Sequence, residues 1–247
     1  MQQTVEHLSL KAWSALETIS YHGWLLRFAD GYTKRANSVT VLGRVESELQ
    51  TKIAYCESQY RLRQQKPIFR LLSFNSPDKL DLELAARGYQ IVDPTLVMGL
   101  SLPISARSQN TTNLCQENLH DWLAIYYSLN FLEKERSHIH HQILAAIGSE
   151  TLFASLKQNE KILACGIGVL ESGCLGIFDV LTNVNYRRQG YATAIIQGIL
   201  QWGIKREASF SYLQVVKANI PALKLYEKLG YQPIYEYWYR SLLTSDK

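Results

Sequence analysis

The chain has 247 residues, 47% of them hydrophobic, and a formal net charge of +4. That length suits one large domain or two small ones with packed cores. So small a charge does not argue for nucleic acid and is compatible with an anionic small ligand. The sequence does not begin with a basic segment and an apolar run, and its most apolar stretch, residues 163–181, is broken by Glu171, Ser172 and Asp179. We therefore expect a cytoplasmic protein without a membrane-spanning segment.

The first half of the chain predicts strands, one long helix, and then a strand, a helix and a strand. The pattern alternates every second residue in the strands and follows helical spacing in the helices. The predicted elements are, in order, strands at 23–30 and 35–42, a helix at 45–65, a strand at 67–73, a helix at 77–88 and a strand at 89–102.

The second half predicts the order α-α-β-β-β-α-β-α-β after a polar, turn-rich linker at 106–116. The apolar residues after Gly190 fall on one helical stripe that would face a sheet. The predicted elements are helices at 119–131 and 133–147, two strands within 151–170, a strand at 173–182, a helix to about 206, a strand at 211–217, a helix at 220–230 and a strand at 231–243.

Two similar strings, LELAARGYQ at 82–90 and LKLYEKLGYQ at 223–232, each end a helix with Gly-Tyr-Gln at the entry to a strand. A chance repeat of a common helix-stop signal is the alternative explanation. Because the order of elements around both strings also matches, we favour two related halves in tandem.

The stretch NYRRQGYATA, residues 185–194, joins a predicted strand to a predicted helix. The first amides of a helix lack helical partners, so they and the helix dipole favour an anion such as a pyrophosphate. Gly190 leaves room for a phosphate at the main chain, Ala192 is small, and Arg187 and Arg188 add positive charge. Neither GxGxxG nor Gly-Lys-Ser/Thr occurs here, which argues against Rossmann and P-loop sites.

This stretch resembles the (Gln/Arg)-x-x-Gly-x-(Gly/Ala) signature of the GCN5-related N-acetyltransferases, and the resemblance covers about residues 115–247. It implies an α/β fold with a mixed sheet, a full acetyltransferase fold in the C-terminal half, and acetyl-CoA as cosubstrate. The loop that would hold the pyrophosphate of coenzyme A consists of Arg187, Arg188, Gln189, Gly190, Tyr191, Ala192 and Thr193.

The resemblance extends downstream to VVKANIPALKLYEKLGY, where it implies that Asn219 contacts the cofactor and that Tyr226 protonates the departing thiolate. It also implies that the backbone of Val180, Leu181 and Thr182 contacts the pantetheine arm and the thioester. A phenol is protonated at neutral pH and suits the role of proton donor. The simpler interpretation makes Asn219 a helix N-cap and Tyr226 a core aromatic.

The base that would remove the amine proton is left open by the sequence. Asp179 lies on the key strand, but strand alternation can point it to the other face. Some members of the family carry a glutamate where this chain has Gly176. A water chain, a role for Asp179 in catalysis and a structural hydrogen bond of Asp179 all remain open.

Three other clusters of polar or aromatic side chains occur in the sequence. Histidines 138, 140 and 141 with Glu135 lack a second metal-binding motif, so we expect no metal but a polar helix face or an acceptor-site lining. The aromatic residues at 235–239 are expected in a final β-hairpin rather than at a nucleic-acid surface. In the first half, Arg27, Tyr32, Arg35 and Asn37 lie on a predicted hairpin that either faces the acceptor cleft or solvates a turn.

The sequence thus predicts a degenerate acetyltransferase-like domain at 1–105, a linker at 106–116 and an acetyltransferase domain at 117–247. Leu84 falls opposite Tyr226, and GRVESELQ stands before the first long helix in place of any Arg-x-x-Gly-x-Gly equivalent, so one cofactor site per chain is expected. The predicted activity is acetyl transfer from acetyl-CoA to a primary amine of a small molecule or peptide, without nucleic-acid or membrane partners. The alternative is a non-catalytic acyl-CoA-binding or sensing module, and a homodimer is left open.

Overall fold

The computed structural model describes residues 1–43, 48–75, 77–103, 114–130 and 137–242. The α-helices of these residues are α1 Gln2–Ala12, α2 Leu49–Leu62, α3 Asp78–Ala86, α4 Leu119–Leu129, α5 Ser137–Ala145, α6 Tyr191–Ile204 and α7 Ile220–Lys228. The strands are β1 Glu17–Tyr21, β2 Trp24–Phe28, β3 Val39–Val41, β4 Ile68–Leu72, β5 Gln90–Ser101, β6 Cys115–Glu117, β7 Glu150–Gln158, β8 Lys161–Glu171, β9 Cys174–Thr182, β10 Phe210–Val216 and β11 Gln232–Ser241.

The described strands form one mixed sheet of 11 strands in the order β1-β2-β3-β4-β11-β5-β10-β9-β8-β7-β6. Two neighbouring pairs are parallel, β3 with β4 and β9 with β10. The other pairs within the described chain are antiparallel. Each half of the chain therefore contributes one parallel pair, and the mixed α/β fold predicted from the sequence is confirmed.

The two halves exchange their last strands at the centre of the sheet. Strand β5, from the first half, pairs with β10 of the second half, from Thr95 opposite Val216 to Ser101 opposite Phe210. Strand β11, from the second half, pairs with β4 of the first half and also with β5. The sheet is consequently continuous across the two halves, and each half completes the other.

Helices cover both faces of the sheet, as expected where apolar side chains project from both sides of a strand. On one face α1, α4 and α5 pack against a core that includes Trp122, Phe178 and Tyr212. On the other face α2 and α3 cover the first half, and α6 and α7 cover the second. Ile195 and Ile199 are fully buried on the apolar stripe predicted for α6.

A buried ion pair anchors α1 to the centre of the sheet. Arg70 on β4 and Glu6 on α1 are hydrogen-bonded, and their side chains are only 1% and 2% exposed. The Tyr235 hydroxyl on β11 donates to the same carboxylate at 2.6 Å. Loss of one member of a buried charged pair is far more costly than loss of a surface pair, so this triad holds three elements in one arrangement.

Most predicted elements agree with the observed ones, with four exceptions. Helix α1 and strand β1 were not predicted. Strand β6 includes the last two residues of the predicted linker, and the rest of that linker lies almost entirely outside the described residues. The expectation that β11 belongs to a final hairpin is wrong, because β11 lies between β4 and β5, which are distant in sequence.

Candidate active site

The parallel strands β9 and β10 separate towards their carboxyl ends. They are paired from Cys174 opposite Phe210 to Ile177 opposite Leu213. Beyond that point β9 continues to Thr182 and β10 to Val216 without pairing to each other. The gap leaves the backbone of Val180, Leu181 and Thr182 unpaired on the side that faces β10. The sequence predicts that the backbone of these residues contacts the pantetheine arm. Ligands of α/β proteins commonly bind outside the carboxyl ends of parallel strands.

We call this gap between β9 and β10 the fork. Helix α6 follows β9 and helix α7 follows β10, so each helix begins beyond the open end of the fork. Gly190 is the N-cap of α6 with φ of +88°, a conformation that favours glycine. The first hydrogen bond of the helix runs from the Ala194 amide to the Gly190 carbonyl at 3.0 Å. In the described chain the amides of residues 190–193 have no acceptor, and a Cβ at Gly190 would meet no atom within 4 Å. The helix end thus presents free amides of the kind that bind anions in proteins.

The loop before α6 carries its charges at the surface. Asn183 accepts a hydrogen bond from the Asn185 amide at 3.1 Å and so begins a 3₁₀ turn at Val184–Tyr186. Arg187, Arg188 and Gln189 follow and are exposed. Two cationic side chains beside free amides favour a doubly charged group such as a pyrophosphate.

The two residues expected on α7 lie where the sequence placed them along the helix. Asn219 is the N-cap, and its side-chain oxygen accepts from the Ala222 amide at 3.3 Å. Tyr226 follows seven residues later, about 10 Å along the helix axis. Its side chain is half-buried against the α6–α7 core, with the Tyr231 ring 6.1 Å away. Burial raises the pKa of Tyr226 to about 12, so the phenol keeps its proton at neutral pH.

Gly176 has no room for a side chain. A Cβ built there would lie 2.7 Å from the Tyr212 hydroxyl and 2.6 Å from the Phe178 ring. The space that a longer side chain such as glutamate would need at this position is therefore filled by Tyr212, which is itself buried. A carboxylate near the fork has to come from another residue.

Asp179 supplies a carboxylate at the fork because a β-bulge turns it there. The pairing of β8 with β9 shifts register between Phe178 and Leu181, and Asp179 has φ of +47°. Phe178 belongs to the α1–α4–α5 core, whereas Val180 packs with α6 on the opposite face. The bulge places Asp179 on the same face as Phe178, so simple alternation does not decide its direction.

A chain of hydrogen bonds leads from Asp179 into the protein. Asp179 Oδ2 lies 3.0 Å from His140 Nε2, and His140 Nδ1 lies 3.0 Å from the Tyr127 hydroxyl. Tyr32 lies beside this chain, and burial raises its pKa, with the charge of Asp179 adding to this effect. The sequence did not predict this chain, although the apolar neighbours Ile139 and Ile143 could have indicated that His140 faces inward.

The first half of the chain contributes to the same region through the segment between β2 and β3. The Tyr32 ring stacks on His140 with centroids 5.2 Å apart, and the Arg35 guanidinium lies 5.9 Å from the Phe178 ring centre. Arg27 instead donates to backbone carbonyls, including that of Leu10 at 3.1 Å. Asn37 accepts from the amides that precede Tyr32, so Arg27 and Asn37 shape the segment rather than face the fork.

Among the described residues, the histidine cluster shows no metal site and the tyrosines of β11 show no exposed face. No group of three metal-binding side chains is found among the described residues, and Glu135 lies outside them. Tyr235, Tyr237 and Tyr239 are buried in the sheet, so they offer no stacking surface. In the described part of the chain, no helix combines the length and apolarity needed to cross a membrane.

Comparisons with known proteins agree with this geometry. The family described as "Probable histone acetyltransferase Rv0428c C-terminal" matches residues 3–240. The "Uncharacterized N-acetyltransferase YobR" of Bacillus subtilis is 29% identical over 242 residues, which are 96% of each chain.

Solved structures with low sequence identity share the fold. A GCN5-related N-acetyltransferase from Kribbella flavida superposes with a TM-score of 0.70 at 11% identity, over 97% of this chain and 93% of the other. A tandem GNAT protein from the clavulanic acid biosynthesis pathway superposes with a TM-score of 0.63 at 12% identity, over 98% and 89%. Because the family match spans nearly the whole sequence, the chain belongs to the GCN5-related N-acetyltransferases and is an acyltransferase.

Proposed function

We propose that the protein transfers an acetyl group from acetyl-CoA to a primary amine of a small molecule or peptide. The observation that carries the proposal is the uncovered amino end of α6 at the open end of the β9–β10 fork. Its free amides and the arginines at 187 and 188 would hold the pyrophosphate, while the unpaired edge of Val180–Thr182 would hold the pantetheine arm. Asn219 at the start of α7 would border the same path.

The reaction would be a direct attack of the amine on the thioester carbonyl. A backbone amide of the open β9 edge would stabilise the oxyanion, and the phenol of Tyr226 would protonate the departing thiolate. Holding both substrates in one fork lowers the entropic cost of the encounter and accounts for much of the expected acceleration. No covalent enzyme intermediate is required.

The first half is proposed to be a degenerate acetyltransferase-like domain that lines the acceptor side. The contacts of Tyr32 and Arg35 with His140 and Phe178 support this role. Leu84 occupies the position on α3 that corresponds to Tyr226 on α7, so only the second half would bind the cofactor.

An acetyl-CoA turnover screen tests the activity through release of the free thiol. The panel would contain amino acids, polyamines, aminoglycosides and peptides, with a lysine-containing histone peptide among them because the matched family is described by a probable histone acetyltransferase. Turnover with any amine supports the proposal. Tight binding of coenzyme A without turnover across the panel would instead support the non-catalytic binding or sensing module.

The proton donor is tested by Tyr226→Phe. This change removes only the hydroxyl, so we expect the affinity for coenzyme A in calorimetry to stay within about twofold and kcat to fall about 100-fold or more. Tyr55→Phe is the matched control, because Tyr55 is also half-buried but lies on α2 in the first half. Unchanged turnover in Tyr226→Phe would refute the assigned role.

A further inference from the structure

The hydrogen-bond chain from Asp179 to Tyr127 has a defined direction. An ionised carboxylate can only accept, so a neutral His140 must carry its proton on Nε2 and donate it to Asp179. Its Nδ1 then accepts from the Tyr127 hydroxyl. Every donor in the chain thus points towards Asp179.

Asp179 differs from His140 in its access to the fork. The His140 side chain is fully buried, whereas the Asp179 side chain is 18% exposed. Oδ2 of Asp179 is bonded to His140, and among the described residues Oδ1 has no hydrogen-bond partner. One oxygen is therefore fixed by the protein while the other is free to accept a proton from outside.

Aromatic rings surround the hydrogen-bonded pair of Asp179 and His140. Trp13, Tyr32, Trp122, Tyr126 and Tyr127 pack their rings around His140, with centroids 5.0–6.2 Å away. The titratable or charged groups near the pair from each neighbouring element are Tyr32 and Arg35 before β3, Tyr126 and Tyr127 on α4, Cys165 on β8 and Tyr212 on β10. Burial raises the pKa of Tyr126 and of Cys165, and the negative charge of Asp179 adds to both effects.

We infer that Asp179 is the general base of the acetyl transfer and that His140, held by Tyr127, is the positioning residue that aims its carboxylate at the acceptor amine. The inference rests on the proposed function. The surroundings of Gly176 support the inference, because Tyr212 leaves no room for a carboxylate side chain at position 176. Asp179 is then the acidic side chain on β9 next to the point where β9 and β10 separate.

The proposed step balances atoms and charge. An amine N–H bond breaks as an O–H bond forms on Asp179, a C–N bond replaces the C–S bond, and the departing thiolate takes its proton from Tyr226. After the products leave, the proton on Asp179 returns to solvent and the Tyr226 phenolate takes one up.

The base is tested with Asp179→Asn in the full chain, using the amine that gives the fastest turnover in the screen. We expect kcat to fall about 100-fold or more while the affinity for coenzyme A in calorimetry stays within about twofold. The decline of kcat/KM on the acid side of the wild-type pH profile should also be lost. Turnover within about threefold of wild type, with that decline retained, would overturn the role of Asp179.

The positioning role is tested with His140→Phe, which keeps an aromatic ring among its neighbours but removes the donor. Without the hydrogen bond to its ionised form, the carboxylate protonates more readily, so the acid-side decline should move to higher pH and kcat should fall about tenfold. His120→Phe is the matched control, because His120 also lies beside an aspartate, Asp121, but is 91% exposed. An acid-side decline at the wild-type pH in His140→Phe would overturn the positioning role.

A measurement that does not depend on enzymatic turnover distinguishes failure of this inference from failure of the proposed function. Imidazole ¹⁵N NMR of the wild-type protein should show His140 as the tautomer protonated on Nε2, and Asp179→Asn should change that signal. A wild type that binds coenzyme A but acetylates no amine would refute the proposed function while this readout still tests the hydrogen-bonded pair. His140 protonated on Nδ1 in the wild type would overturn the inference.

Discussion

At the scale of single residues, Asp81 shows how one carboxylate joins two elements. It accepts from Trp238 Nε1 at 2.6 Å and from Arg240 Nη2 at 2.6 Å, which ties α3 to β11. Burial raises the pKa of Asp81, but the hydrogen bonds from Arg240 and Trp238 outweigh it and lower the pKa overall. The ionised form is thus favoured in the folded chain.

A carboxyl with a lowered folded pKa stabilises the fold above its unfolded pKa of about 3.9, and this stabilisation is lost as the pH falls through the folded pKa. We expect Asp81→Asn to lower the free energy of unfolding by about 1–2 kcal/mol at pH 7. The difference from wild type should shrink below about pH 4. Urea titrations at pH 7 and pH 3 measure it, with Asp78→Asn on the exposed side of α3 as the control. A difference that is equal at both pH values would contradict the prediction.

The sequence indicated some site residues and missed others for a physical reason. Gly190 and Tyr226 lie in local patterns, a helix start and a helix face, and such patterns are readable within about ten residues of chain. His140 and Asp179 are 39 residues apart, and their contact depends on a bulge in β9 and on the packing of α5. The direction of Asp179 could not follow from alternation, because a bulge breaks the alternation.

At the scale of elements, the amino end of α6 combines two requirements in one residue. Gly190 needs a positive φ to turn the chain into the helix, and it needs a bare main chain to admit an anion. Alanine has room there, but its Cβ penalises the left-handed conformation by about 1–2 kcal/mol. The strain would be relieved by rotation of the amides away from the fork.

We therefore expect Gly190→Ala to weaken coenzyme A binding at least tenfold in calorimetry. Gly173→Ala is the matched control, because Gly173 also has a positive φ, of +71°, but lies in the turn before β9, at the opposite end of that strand from the fork. The control should lose similar stability in urea unfolding and keep its affinity. Equal affinities of the two variants would contradict the assignment of the phosphate site.

Periodicity predicted the elements of the second half closely, because most of them have an apolar face and a clear turn at each end. It failed for α1, whose buried face includes Glu6 and Ser9 beside Val5 and Leu8. The polar residues weaken the apolar stripe, and Glu6 is buried only because Arg70 on a distant strand neutralises it. A tertiary ion pair of this kind leaves no local pattern.

At the scale of the whole molecule, the exchange of β5 and β11 could not be predicted from the sequence. Both strands follow a helix that ends in Gly-Tyr-Gln, and alternation specifies the buried face of a strand but not its neighbour. The sequence indicated two similar halves, and this likeness is consistent with the two parallel pairs of the sheet. Only the structure shows that the halves share their final strands.

The exchange predicts that the second half does not fold alone. A fragment of residues 114–242 would leave β10 without β5 and β11 without either of its partners. We expect it to be unfolded or self-associated in circular dichroism and size-exclusion chromatography. Mixing with a fragment of residues 1–103 during refolding should restore a one-to-one complex that binds coenzyme A. A monomeric fragment 114–242 with a cooperative thermal transition would contradict this expectation.

The central place of β11 also has a consequence for biosynthesis. Translation is vectorial, and β11 is made after the other ten described strands, so the gap between β4 and β5 stays open until β11 leaves the ribosome. Until then β4 and β5 expose strand edges, which are the surfaces most prone to wrong pairing. The nascent chain therefore depends on late closure of its sheet, and on protection of these two edges until that closure.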